Sequence, residues 1–393
     1  FAKHRLNPVN TNYGMMVGDE MNFDNCGQYD GRVRTVSDGR HAVYQEGIYM
    51  GYHYTETRYE DKVMGIEKVG DFDYNEVVSY PFGYGLSYTT FEYSDFDVDY
   101  VVATPVTEEE ENTYYVSVKV TNTGDVAGKE SVQVYLQKPY TQYDRDNGIE
   151  KSAVDLVAFD KTELLQPGES EVLRIGFSER ELACYDSYHE KTYILENGRY
   201  YITAAKDAHA ATNNILAKKG KTVADGMTED GNASLVWDNN GSDLTFDDTK
   251  LYSTALATGN QITNQFDNAD LKIYDAGGPN GNLRYMTRSD WNGTVSFAWT
   301  EDGTPTNNHV KVTATEKMQN DLDTSYKAPQ DVLEKNPGKV TVGSTETSYN
   351  LIDLRAFADD DDDPTNDAPI PYYDPMWDYL INQIPWDEMV NLL

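Results

Sequence analysis

The chain has 393 residues, of which 39% are hydrophobic and 12% aromatic, enough to build cores in roughly two to four domains. Its 32 Lys and Arg stand against 67 Asp and Glu, a net charge of −35, and a surface this acidic repels phosphate, which argues against any nucleic-acid binder. No stretch approaches the ~18 consecutive apolar residues of a transmembrane helix, so we predict no membrane span. The two cysteines, Cys26 and Cys184, allow at most one bridge and exclude a disulfide scaffold and a cysteine-based zinc site.

The first part of the chain, residues 1–92, is rich in Gly and Tyr and has only weak periodicity. Turn-forming residues predict loops there, for example over 25–31. The stretch 43–54 is apolar enough to be buried. Residues 80–93 mix Pro, Gly and aromatic side chains, which is typical of a packed, irregular connection.

Residues 93–206 change character, because apolar and polar side chains alternate along several short runs. The predicted strands cover 114–120, 131–137, 156–159, 171–177 and 200–204. Turn residues separate them at 122–125 and 165–169. Short strands with regular turns predict an antiparallel β-sandwich.

The second half of the chain is harder to interpret. Residues 207–345 are polar and rich in Asn, Asp, Gly and Thr, with strand-like pieces at 234–237, 271–274 and 311–314. The five acids at 359–363, followed by several prolines, predict a solvated linker. A loose calcium site is the alternative, but the run lacks the alternating spacing and the glycine of a calcium loop.

The last residues have helical spacing. Apolar positions between 376 and 384 fit one helix face, and Pro385 suits the first turn of a second helix. That second helix stops after two turns with nothing to pack against, and the chain begins with Phe1. We therefore expect this chain to be a piece of a longer protein.

Two segments carry a resemblance to a known family. They read YQEGIYMGYHY at 44–54 and YPFGYGLSYTTFEY at 80–93. In this order, and followed by a β-sandwich, they resemble glycoside hydrolase family 3, the β-glucosidase-type enzymes. The turns at 120–124 and 165–169 fit the fibronectin type III-like domain of that family. His53 departs from the pattern, because an arginine is common at this position, and this leaves one buried ion pair or hydrogen bond in question.

The resemblance implies a multidomain fold that joins α/β and all-β parts. Residues 1–92 would be the C-terminal part of an α/β sandwich domain, and 93–210 a fibronectin type III-like β-sandwich. An intervening β-rich region would cover 211–358, an acidic, proline-rich linker 359–371, and the first helices of a truncated (β/α)₈ barrel 372–393. This layout places the barrel last, as in a subgroup of the family with reversed domain order, found in anaerobic bacteria.

The chemistry of retaining glycoside hydrolases needs two carboxyl groups about 5–5.5 Å apart, one as nucleophile and one as acid/base. The resemblance implies a nucleophilic aspartate on a barrel strand and a glutamate acid/base in the α/β domain. By the domain order above, both lie outside this chain. We therefore predict no catalytic residue, no metal site and no cofactor here, and no hydrolase activity for this chain alone.

Four residues in the chain invite a catalytic interpretation. Asp290, in Ser289-Asp290-Trp291, resembles the family's nucleophile motif, but it precedes the predicted barrel helices, and a structural turn or cap role fits better. Glu46 lies among apolar residues and is weighed as an acid/base against a buried, hydrogen-bonded carboxylate. His41 and His53 have no Ser or Cys nucleophile context, so a catalytic role is disfavoured for both.

The resemblance implies that the full protein hydrolyses terminal β-linked glucose from short glucosides or oligosaccharides by a two-step retaining mechanism. Two alternatives stay open: a non-catalytic sandwich module that binds carbohydrate or protein, and a β-xylosidase. A homodimer is also considered. The acidic surface fits the cytoplasm, slightly favoured, or a secreted enzyme.

Overall fold

The computed structural model describes residues 46–104, 111–239, 250–264, 270 and 285–294 with their side chains, and four further short strands by backbone alone. The chain divides into two compact units, Phe1–Thr315 and Glu316–Leu393. The strand-like pieces predicted at 271–274 and 311–314, the linker at 359–371 and the barrel helices at 372–393 lie outside the described residues.

The described elements are mainly strands. In chain order they are β1 Cys26–Gln28, β2 Arg40–Ala42, β3 Phe91–Val101, β4 Thr113–Asn122, β5 Ser131–Gln137, β6 Asp155–Lys161, β7 Ser170–Ser178, β8 Cys184–Asp186, β9 Thr192–Leu195, β10 Tyr201–Ala205, β11 Val236–Asp238, β12 Lys250–Tyr252, and, in the second unit, the hairpin β13 Val340–Val342 with β14 Thr345–Thr347. The α-helices are α1 Tyr52–Met64, α2 Tyr74–Val77, α3 Gln142–Asn147, α4 Ala208–Lys218 and α5 Trp291–Thr294. Short 3₁₀ turns cover Glu67–Val69, Glu179–Leu182, Val223–Asp225 and Ala233–Leu235.

Two antiparallel sheets share one apolar core. One has the strand order β3-β4-β7 and the other β11-β10-β5-β6, and a smaller sheet β12-β9-β8 lies beside them. The core takes Val116, Val118 and Val120 from β4 together with Val134 from β5 and Ile202 from β10. Two β layers over one core agree with the predicted all-β architecture for this part of the chain.

The central strands β5 and β10 are buried on both faces. The inward face of β5 packs into the core between the sheets, while Tyr135 on its other face joins Ala208, Ala211 and Ile215 of α4. Helix α4 therefore covers the outside of this sheet. The alternation that predicted β5 marks only one of its two buried faces.

The sequence prediction matches several strands closely. The predicted strand 131–137 coincides with β5, 171–177 lies within β7, and 200–204 is shifted by one residue from β10. Strand β3 was not predicted. Its register shifts between Ser94 and Asp97, and Asp95 has a positive φ of 49°, so a bulge interrupts the apolar alternation along the strand.

Helix α1 was not predicted either, and it lies in the part of the chain with only weak periodicity. Its sequence YHYTETRYEDKVM has no apolar stripe, yet nine of its thirteen residues are buried. The helix follows Gly51 and ends at Gly65, which adopts the left-handed conformation with φ 78°. An amphipathic pattern is missing because the helix is surrounded by other chain segments rather than by water.

Polar pairs join α1 to α4 in the interior. His209 Nδ1 lies 2.9 Å from Glu56 Oε2, and its Nε2 lies 2.6 Å from Thr228 Oγ1. The imidazole stacks on Tyr74 with ring centroids 3.8 Å apart. This arrangement has the order of a hydroxyl, histidine and carboxylate relay, but the stacked ring and the buried setting indicate that it ties the two helices together.

The Tyr- and Gly-rich motif at 80–93 packs on one side only. Phe82 stacks on Tyr52 with centroids 4.5 Å apart, and Gly83, with φ 85°, lies so close to Gln133 that a Cβ there would be 2.1 Å from its Oε1. Leu86 and Tyr88 are 90% and 98% exposed. The expected packed connection is thus found at Phe82 and Gly83 and again at Phe91 and Tyr93, while Leu86 and Tyr88 between them face outward.

The core between the sheets predicts one stability result. Leu136 is fully buried in it, so Leu136→Ala should lower the free energy of unfolding by about 2–5 kcal/mol, through lost burial and a residual cavity. Val172→Ala on β7, where the side chain is 63% exposed, should change it by less than about 0.5 kcal/mol. Urea denaturation followed by circular dichroism measures both. Equal losses in the two variants would contradict the shared core.

Candidate functional site

The four residues singled out from the sequence serve separate contacts. Glu46 is buried in the turn before α1, where its carbonyl accepts from Tyr49 N at 3.0 Å. His53 on α1 lies 3.3 Å from Asp155, and burial lowers the pKa of this imidazole although Asp155 opposes the shift. His53 is the position at which the sequence departs from the resemblance, and its partner here is Asp155. His41 lies in β2, whose backbone pairs with β1.

Asp290 takes part in a turn. Its N–H donates to Thr287 O at 3.1 Å, and its carbonyl accepts from Thr294 Oγ1 at 2.7 Å. Its half-exposed carboxylate lies 3.8 Å from Lys68. The residue stands directly before α5, which agrees with the turn or cap role weighed for it.

Arg288, two residues before Asp290, was not singled out from the sequence, yet it makes the central contacts of this region. Its guanidinium is nine-tenths buried and binds two carboxylates of α1, Glu60 at 3.2 Å and Asp61. Its Nη1 also donates to Lys151 O at 3.1 Å. These carboxylates raise the pKa of Arg288 above its usual value even though burial opposes the shift. The arginine is therefore a fixed cation between α1 and the loop before β6.

Trp291 completes this contact from the apolar side. It is fully buried, its indole N–H donates to Asp61 Oδ2 at 2.8 Å, and its ring meets those of Tyr49 at 4.8 Å and Tyr54 at 5.7 Å. Both oxygens of Asp61 are thereby occupied. The Arg-Ser-Asp-Trp segment consequently binds α1 through Arg288 and Trp291 and leaves Asp290 at the rim.

Glu150 is a second anchor for the same segment. It accepts from Tyr49 Oη at 2.5 Å, from Arg288 N at 3.1 Å and from the hydroxyl of Thr287. Burial raises the pKa of Glu150, and these donors work against that rise. Three stretches distant in the chain, around residues 49–61, 150 and 287–291, are thus joined in one polar layer.

Glu60 and Asp61 are adjacent carboxylates, so we considered them as a catalytic pair. Burial acts to raise the pKa of Glu60, but Lys219 at 2.5 Å and Arg288 lower it on balance. Burial raises the pKa of Asp61 in spite of Arg288. Because their oxygens are already bound by cations and by the Trp291 indole, neither carboxyl group is free to attack or protonate a substrate.

Asp144 and Glu196 form another close acid pair. Lys151 Nζ lies 2.8 Å from Asp144 and also binds Glu196. Burial raises the pKa of Asp144 to about 6 although Lys151 lowers it, and the contact with Glu196 adds to the rise. Asp144 also closes the capping box of α3 with Thr141. The pair therefore has a structural role at the start of α3.

Other kinds of site find no support in this part of the chain. Among the residues described with side chains, no group of three or more His, Cys, Asp or Glu is placed to hold a metal ion. The described helices are all too short or too polar to cross a bilayer. Cys184 carries a free, part-buried thiol.

Part of the chain is similar to known proteins. The family model of the fibronectin type III-like domain matches residues 130–208. The chain is 36% identical over 173 residues to β-glucosidase A of Butyrivibrio fibrisolvens, a match that covers 42% of this chain and 19% of that protein. The resemblance to glycoside hydrolase family 3 is confirmed for the matched part of the chain. The chain is also 31% identical over 185 residues to an exo-α-(1→6)-L-arabinopyranosidase of Bifidobacterium breve, a match that covers 46% of this chain and 20% of that protein.

Among solved structures, β-glucosidase 3B of Thermotoga neapolitana in complex with α-D-glucose is 36% identical, with a TM-score of 0.32, over 42% of this chain and 19% of that one. The chain thus spans about a fifth of the length of the relatives it matches.

The Arg288 contact predicts a large loss of stability. Arg288→Met leaves Glu60 and Asp61 buried without their shared cation, so the free energy of unfolding should fall by about 3–5 kcal/mol. The control is Arg174→Met, which removes an exposed guanidinium lying 3.5 Å from the centroid of the Tyr115 ring, and should cost less than about 1 kcal/mol. Urea denaturation measures the free energy of unfolding of both variants. A loss no larger for Arg288→Met than for Arg174→Met would contradict the role of Arg288 as the cation shared by Glu60 and Asp61.

The Asp144 cluster predicts a pH dependence. The folded-state pKa of about 6 lies above the ordinary Asp value of about 4, so the folded chain keeps a proton that the unfolded chain releases. Stability should therefore fall as pH rises from about 4 to about 6. Asp144→Asn should flatten this part of the profile, whereas Asp146→Asn, an exposed acid on the same helix, should leave it unchanged. Melting temperatures across this pH range provide the measurement, and an unaltered slope in Asp144→Asn would refute the assignment.

Proposed function

We propose that this chain is the non-barrel part of a retaining, β-glucosidase-type glycoside hydrolase that releases terminal β-linked glucose from short glucosides. The observation that carries the proposal is the 36% identity over 173 residues to a β-glucosidase, together with the fibronectin type III-like match at 130–208. In this proposal the chain acts as a scaffold, and the catalytic carboxyl groups lie elsewhere in the protein.

The chemistry of the described residues supports a scaffold role. Retaining hydrolysis needs one carboxylate free to attack and one carboxyl group with a raised pKa, both facing a substrate. The adjacent acids Glu60 and Asp61 are instead bound by cations, and Asp144 shares Lys151 with Glu196. These acids hold the polar layer together rather than meeting a sugar.

The motif at 80–93 suggests where this scaffold contacts another part of the protein. Tyr80, Phe82 and Tyr84 are each about half exposed, and Leu86 and Tyr88 almost fully so. A row of exposed aromatic and aliphatic side chains is unusual on a free surface and is typical of an interface. We propose that this row packs against a further part of the enzyme. In the proposed layout, an α/β domain precedes residue 93 and a barrel begins near residue 372.

A second specificity has its own support. The relative from Bifidobacterium breve carries the name of an arabinopyranosidase at 31% identity, so pentose release is the second candidate, and it stands beside the β-xylosidase considered from the sequence. A non-catalytic binding module remains the rival from another class. Activity of the full reading frame on aryl glycosides separates all of these.

The test compares this 393-residue chain with the same protein expressed from its full reading frame, using 4-nitrophenyl β-D-glucopyranoside as substrate. We expect turnover by the full protein only. Matched assays with the β-D-xylopyranoside and α-L-arabinopyranoside rank the specificities. Asp290→Asn and Glu46→Gln in the full protein should keep kcat within about threefold, since neither is assigned to the chemistry.

Turnover by the 393-residue chain alone, abolished by Asp290→Asn or Glu46→Gln, would overturn the scaffold proposal. An inactive full protein on all three glycosides would favour the binding module.

A further inference from the structure

A cleft of about 500 Å³ opens beside the Arg288 contact, between the end of α1, the end of β5 and the start of β10. Five basic residues line it, namely Lys138, Arg145, Arg199, Lys219 and Arg288, with two acids, Glu60 and Asp61. The whole chain has 67 acidic against 32 basic residues, so the lining of this cleft, its wall, has the opposite charge balance from the molecule. A local concentration of cations on so acidic a protein calls for an explanation.

The two acids in the cleft are already neutralised. Glu60 binds Lys219 at 2.5 Å and Arg288 at 3.2 Å, while Asp61 binds Arg288 and the indole of Trp291. Two cations are thus balanced by two carboxylates. Lys138, Arg145 and Arg199 pair with neither of these two acids.

Two of these three each pair with one acid outside the cleft, and each acid is shared with another basic group. Lys138 Nζ lies 3.8 Å from Asp155, which also pairs with His53. Arg199 Nε lies 3.6 Å from Asp238, and that carboxylate is shared with Lys218 at 3.6 Å. Glu150 also flanks the cleft, since it accepts from Arg288 N and from Tyr140 Oη. With Lys218 and these three acids counted, six Lys and Arg residues stand against five acids.

Arg145 has no acid partner among the described residues. Its Nη1 donates to the Thr141 carbonyl at 3.0 Å, and its guanidinium lies 4.4 Å from the centroid of the Tyr140 ring. Arg288 lies 5.0 Å from the same ring centroid. One tyrosine ring therefore lies beside both guanidinium groups. Arg288 is already bound by Glu60 and Asp61, whereas Arg145 is not.

Tyr201 repeats this arrangement on the other wall. Lys219 Nζ lies 5.0 Å from its ring centroid and the Arg199 guanidinium 5.9 Å. The ring therefore holds a further pair of cations in place by the same contact. Like charges held together in a concave site repel each other and concentrate the local field, which favours uptake of an anion.

We propose that this cleft binds a small oxyanion carrying two or more negative charges, with Arg145 and Arg199 as its principal ligands. Guanidinium groups bind phosphate and carboxylate through paired N–H donors, and two such groups suit an anion with two or more negative charges. Phosphate esters and polycarboxylates share this chemistry. The inference does not depend on the proposed hydrolase activity.

Isothermal titration calorimetry of the 393-residue chain tests the site, with citrate, inorganic phosphate and glucose 6-phosphate as probes. Sodium chloride holds the ionic strength constant, and neutral glucose serves as the uncharged control. We expect one saturable site per chain for at least one anion. The double variant R145Q/R199Q should weaken it at least tenfold. The tightest of the three probes tells whether the natural ligand carries carboxylate or phosphate groups.

The matched control is R174Q/K129Q, which removes two exposed cations and so the same total charge, both away from the cleft. It should retain the affinity within about twofold. Melting temperatures of both double variants establish that they fold. Equal weakening in the two variants would show that net charge alone causes the effect, and would overturn the proposed site. The absence of saturable binding for all three anions would overturn it as well.

Discussion

The buried cation of Arg288 is the contact on which the described structure depends. It neutralises Glu60 and Asp61 on a helix that has no apolar face of its own, and Trp291 beside it closes the remaining oxygen of Asp61. A buried carboxylate without a partner costs several kcal/mol, so the polar helix can be interior only while this segment is bound to it. Residues more than 200 positions apart in the chain are thereby made mutually dependent.

The molecule is thus stabilised in two different ways on either side of the sheet that contains β5. On one side, valines and leucines of both sheets bury apolar area, a non-directional gain. On the other, the interior next to α1 combines an apolar cluster, which includes Tyr59 and Trp291, with buried charged groups. Gln137 joins the two sides by donating to Glu60 at 2.9 Å and to Ala153 O. Directional contacts of this kind require each partner in place, which restricts how α1 can sit on the sheet.

The same layer connects the proposed scaffold role with the proposed anion site. Lys219 and Arg288 face both the acids of α1 and the cleft, so the network that holds α1 also supplies part of the cationic wall. On a chain of net charge −35, such a wall stands apart from the remaining surface and provides a place that small anions can reach. Sugar chemistry and anion binding would then use different parts of the protein.

Strands with clean alternation, such as β5 and β7, could be predicted from the amino-acid pattern alone, because a period of two reports directly which face is buried. The motifs at 44–54 and 80–93 likewise indicated the resemblance to the family. Three features became visible only in the folded chain: α1 is a helix, β3 continues through a bulge at Asp95, and Arg288 rather than Asp290 makes the buried contacts of its segment. Burial of a charge is decided by a partner distant in the chain, and local patterns carry no trace of that partner.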